Sequence, residues 1–163
     1  MRKLLSCLAA GVIAATVSVA RADPAQDAAK LADIFCQLGK QDGEFGRLYL
    51  VTKSLGVAIA EAIKKNGEIA SAHPDEKPPL GDGIPFQSYP DVAPVCKPGK
   101  FTDTGRTQVI EIVYEFPDKP AASWTDRLVL ITEEGRPRID DILFGTADSD
   151  NGLRKALAAA FQN

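Results

Sequence analysis

The chain has 163 residues and a formal net charge of −3, enough for one domain of ordinary size. That sign of charge excludes a nucleic-acid partner, which needs a basic footprint, and disfavours an anionic membrane surface. No internal repeat or low-complexity tract breaks it up.

The first 22 residues read as a cleaved secretory signal peptide. Arg2 and Lys3 form a positive start, residues 4–20 carry no charge, and Ala20-Arg21-Ala22 puts small residues where a signal peptidase reads them. The apolar run, about 17 residues, sits at the lower edge of a membrane-spanning helix. Its richness in Ala, Ser, Thr and Gly favours cleavage, so no stable membrane insertion is expected. Leu4-Leu5-Ser6-Cys7 looks like a lipobox, but it precedes the apolar run instead of following it. Cys7 therefore leaves with the leader. The mature domain, residues 23–163, has 141 residues. The leader takes Arg2, Lys3 and Arg21 and no acid with it, which moves the net charge to −6. The location implied is periplasmic or secreted.

Cys36 and Cys96 remain, and in an oxidising compartment two cysteines are most simply a disulfide. Two thiols and the lone His73 fall short of four zinc ligands. A redox pair is more often a close Cys-x-x-Cys. No metal or cofactor is indicated.

In chain order, residues 25–40 predict a helix with Ala29, Leu31, Ala32, Phe35, Cys36 and Leu38 at spacings of three and four. Asp23 caps it, Pro24 suits its first turn, and Gly39 and Gly43 mark its end. A second helix starts at Thr52, lines one face with Leu55, Ile59, Ala62 and Ile63, and closes at His73-Pro74. Residues 74–106, rich in Pro, Gly and Asp, predict a long irregular stretch. Two aromatics, Phe86 and Tyr89, together with Cys96, mark it as an ordered loop lying over a sheet. Gly81-Asp82-Gly83 has no strand before it and no helix after it, so it is no nucleotide fingerprint.

Three strands follow, at 107–116, 124–133 and 136–144. The first turns Ile110, Ile112, Tyr114 and Phe116 to one face, and Glu134-Gly135 is a hairpin turn. A final helix starts near Asp148 or Asp150 and aligns Leu153, Leu157 and Phe161. Helices followed by antiparallel strands predict an α+β fold, a curved antiparallel sheet packed against N-terminal helices, with a C-terminal helix.

The runs Val109-Ile110-Glu111-Ile112-Val113-Tyr114-Glu115-Phe116, Trp124-Thr125-Asp126-Arg127-Leu128-Val129-Leu130 and Gly135-Arg136-Pro137-Arg138-Ile139-Asp140-Asp141-Ile142-Leu143-Phe144-Gly145 resemble secreted bacterial domains of unknown function, which are themselves similar to the nuclear transport factor two-like (cystatin-like) superfamily. The resemblance implies a sheet wrapped on helices into a cone with a pocket. It transfers no catalytic set, because that fold hosts isomerases, dehydratases, binding proteins and immunity partners.

On a strand, Asp140 and Asp141 point to opposite faces, so one of them is expected to face the core. A carboxylate there, with Tyr114 as hydrogen-bond donor, would suit isomerase or lyase chemistry. The competing reading is structural: a three-residue hairpin loop sets Arg127 opposite Asp141, and a two-residue loop sets Leu128 opposite Asp141 and Val129 opposite Asp140. With the sole histidine beside a helix end and both cysteines oxidised, no nucleophile triad forms. The expectation is a non-catalytic module binding a small ligand or an envelope protein, with Phe86, Tyr89 and Trp124 as contacts. The alternatives are the isomerase and an immunity or envelope-assembly partner.

Overall fold

The computed structural model describes residues 23–41, 44–81, 83–145 and 151–162. The expected leader, Gly43, Asp82, Asp148 and Asp150 lie outside the described residues.

Helix α1 (Pro24–Gln41) begins as the sequence predicts. Asp23 Oδ1 accepts from Ala25 N at 3.0 Å. Its buried stripe is Ala28, Leu31, Ala32, Phe35 and Cys36, the i, i+3, i+4, i+7, i+8 pattern of a helix packed on one side. The helix does not stop at Gly39 but runs through it. A short α2 (Glu44–Arg47) and a 3₁₀ turn (Leu48–Leu50) follow. Helix α3 (Lys53–Ala72) is capped by Thr52, whose Oγ1 accepts from Leu55 N at 3.1 Å. Leu55, Ile59 and Ala62 are buried, whereas Ile63 is 42% exposed. His73 closes the helix by donating its N–H to Ile69 O at 2.9 Å.

The sheet has four strands, not three. In order they are β1 (Val95–Asp103), β2 (Gln108–Glu115), β3 (Trp124–Glu133) and β4 (Arg136–Leu143), all antiparallel and not closed into a barrel. Strand β1 lies inside the stretch expected to be irregular. Pro98-Gly99 reads as a turn, but it sits at a β-bulge between Pro98 and Phe101 on the sheet edge, where a missing N–H and a kink are tolerated. Pro98, the bulge and exposed Lys97 and Lys100 leave that edge a poor template for another strand. The opposite edge is covered by the chain itself. Thr52 N donates to Ile139 O and Phe144 N to Asn151 O, both at 2.8 Å.

Helices α1, α3 and α4 (Leu153–Ala159) lie against the sheet face that carries Ile110, Ile112, Leu128, Leu130, Ile139 and Ile142, all 1% exposed or less. Each such side chain contributes roughly 2 kcal/mol on burial. This α+β architecture is the expected one. The Cys36–Cys96 disulfide ties α1 to β1 across 60 residues, the chemistry of an oxidising compartment. Among the described residues, no helix is long and apolar enough to cross a membrane.

Candidate functional site

Strand alternation puts Asp126 on the same face as Leu128 and Leu130, and it is 1% exposed. A buried carboxylate is costly unless donors surround it. Here Ser88 N donates at 2.9 Å, Gly145 N at 3.1 Å and Trp124 Nε1 at 3.2 Å, and Ser88 Oγ is also bound. Asp126 therefore fastens the loop before β1 to the end of β4 and orients the Trp124 indole. The sequence carried the signal for this, an acid in phase with an apolar strand face, which the candidate set above omits.

Around Trp124 lies an aromatic cluster. Tyr114 stacks on it at 4.5 Å between centroids with an interplanar angle of 16°, Tyr89 meets it edge-on at 5.3 Å, and Phe116 lies at 5.9 Å. Such pairs add about 1 kcal/mol each beyond the area they bury. Tyr89 is 55% exposed, so the cluster reaches the surface. Beside it, Phe116, Pro117, Pro120 and Trp124 line an open groove of about 430 Å³ rimmed by Glu115. Phe86, expected as a contact, is 2% exposed and anchors the loop from beneath with Ile84 and Ala93.

Arg47 interacts with Tyr114 and is 6% exposed, with its guanidinium 4.1 Å above the Phe35 ring and Nε donating to Phe35 O at 3.2 Å. Burial lowers its pKa, against the pull of Tyr114 and Asp126. A Cβ on Gly39 would fall 1.9 Å from Arg47 Nη2, which is why a glycine sits inside α1. The Tyr114 hydroxyl is buried and has no hydrogen-bond partner among the described residues. Burial pushes the phenol pKa up, partly opposed by the neighbouring Arg47 charge.

The structure does not bring Tyr114 together with Asp140 and Asp141. Asp141 pairs with Val129, which pairs with Val109 on β2. Tyr114 is five residues further along that strand, roughly 17 Å at strand rise. Nor does either expected hairpin register hold throughout. The two-residue Glu134-Gly135 turn sets Leu130 opposite Ile139, and a bulge at Asp140 then shifts Asp141 to Val129. Arg127 faces Glu111 instead. Because of the bulge, Ile139 and Ile142 both face the core and the two acids between them are half-buried at the sheet edge. Asp140 Oδ1 accepts from Thr52 Oγ1 at 3.0 Å and Arg154 Nη2 at 2.7 Å. Asp141 Oδ1 accepts Arg154 N at 3.1 Å, capping a helix whose N-cap, Gly152, has no side chain to do it.

Among the described residues, no group of three His, Cys, Asp or Glu side chains could hold a metal ion. No known protein family, curated protein or solved structure matches the chain.

Proposed function

We propose that the chain is an exported, non-catalytic binding module of the cell envelope, whose aromatic shelf grips an extended segment of another exported protein. The carrying observation is the pinned shelf. Tyr89, more than half exposed, packs on Trp124, itself held by buried Asp126. Rigid aromatic anchors lose little entropy on binding and dominate interface energetics. The adjoining groove is walled by Phe116, Pro117, Pro120 and Trp124 with Glu115 at its rim. It suits a segment bearing proline or aromatic side chains and a basic residue. Export is supported by the leader-like residues 1–22 and by the disulfide. The open antiparallel sheet on helices supports a place in the nuclear transport factor two-like superfamily.

Peptide-library selection on the immobilised, oxidised domain tests the binding role. Selected peptides should share an aromatic- or proline-bearing pattern, and Tyr89→Ala should weaken them about tenfold or more. Peptides that bind the Tyr89→Ala and wild-type domains equally would refute the shelf as the contact surface.

A further inference from the structure

The walls of the groove beside Trp124 have little hydrogen bonding left to offer. Trp124 Nε1 is engaged by buried Asp126 at 3.2 Å, and Ser123 Oγ accepts from Phe116 N at 3.0 Å. Ser123 N donates to Pro120 O and Lys119 N to Phe116 O, both at 3.0 Å. Pro117 and Pro120 have no N–H. Val113 and Thr125 lie opposite each other on the two inner strands, which are paired on both sides. Glu115, at the rim, is ion-paired with Lys97 at 2.7 Å. What remains is ring surface: Phe116, Pro117, Pro120 and Trp124, with Tyr89 alongside.

We propose, on the reading that this groove binds a peptide, that its ligand is a proline-rich segment in the polyproline II conformation, with a basic flank. The backbone of such a segment is fully solvated and needs no partner from the walls, while its rings dock on aromatic surface. A strand added to the sheet would need a free edge. Pro98 and the bulge blunt β1, and the chain itself covers β4. A sugar chain would need donors and acceptors that the walls have already engaged. A helix, about 10 Å across, needs a broader bed than a groove of about 430 Å³. The basic flank follows from charge. Lys97 holds only Oε1 of Glu115, whose side chain stays 38% exposed. The chain is also acidic overall, which draws a cationic segment toward it.

The test titrates the oxidised domain with a synthetic proline decamer ending in two arginines, following the fluorescence of the single tryptophan, Trp124. A saturable change is expected, with affinity about tenfold weaker in Tyr89→Ala. Glutamates in place of the two arginines should weaken binding severalfold at low salt. Cellohexaose and a helical leucine–lysine peptide are titrated in parallel. No saturation by the proline peptide, or Tyr89-dependent binding of either comparison ligand in its place, overturns the polyproline assignment. The shelf itself then stands only if library-selected peptides still need Tyr89. Proline peptide bound equally by wild type and Tyr89→Ala overturns both, and equal binding of the glutamate peptide overturns the basic flank. Tyr89 is 55% exposed, so its removal leaves the core intact.

Discussion

Two glycines inside helices show how far a residue's effect depends on what it touches. Gly67 has nothing within 4 Å of where a Cβ would go, whereas at Gly39 the Cβ would collide with the Arg47 guanidinium. Alanine is the better helix former by about 1 kcal/mol. Gly67→Ala should therefore stabilise by roughly that amount. Gly39→Ala should destabilise, because the guanidinium that must shift is buried. Urea unfolding of the pair checks this, and a stabilising Gly39→Ala would refute the packing assigned to Arg47. Tyr114 makes a second prediction. Its folded-state pKa is raised above the ordinary phenol value of about 10, so the unfolded chain releases this proton first. The stability tied to the neutral phenol is whole below about pH 10 and falls as pH rises from there toward the higher folded value, by about 1.4 kcal/mol per pH unit for one proton. Tyr114→Phe should flatten the alkaline limb of stability against pH by that slope. Parallel limbs would contradict a buried phenol.

At the scale of elements, the C-terminal helix depends on one bulge. By placing Asp140 and Asp141 together at the sheet edge, the bulge lets one acid pair with Arg154 and the other cap α4. The Arg154 side chain also donates to Asp140 O and Ser54 Oγ, both at 2.7 Å, so it joins β4, α3 and α4. The ion pair is about a third exposed on each side, and screening limits its worth. Together with the two further hydrogen bonds, we expect Arg154→Ala to cost about 1–2 kcal/mol. Amide exchange should quicken in α4 before the rest of the sheet, as for a unit that opens locally. Unchanged protection in α4 would show that Leu153 and Leu157 hold it without help.

For the whole molecule, the disulfide and Asp126 act at the same end. One ties α1 to β1, and the other ties the preceding loop to β3 and β4. Closing a 60-residue loop stabilises by about 4 kcal/mol on chain-entropy grounds. Reduction should therefore lower the unfolding free energy by up to that amount, measured in urea with and without reductant. It should also loosen the loop carrying Tyr89, read as faster proteolysis between Gln87 and Val95. Equal stability in both redox states would mean that apolar packing alone closes this end.

The sequence alone determined the helices α1 and α3, their caps at Asp23 and Thr52, strands β2 to β4 and the cysteine pair. Each is written in local periodicity, a capping residue or a count. The tertiary structure alone decided the rest. Strand β1 was hidden because the Pro, Gly and Asp of residues 74–106 read as irregular, and only pairing with β2 accommodates the bulge after Pro98. Gly39 resembled a helix stop because its reason, Arg47, comes from another element. Asp126 stood in plain phase with Leu128 and Leu130, yet only the fold brings Ser88, Trp124 and Gly145 around it. Local patterns depend on neighbours in the chain, whereas a buried charge is settled by whichever donors folding delivers from a distance.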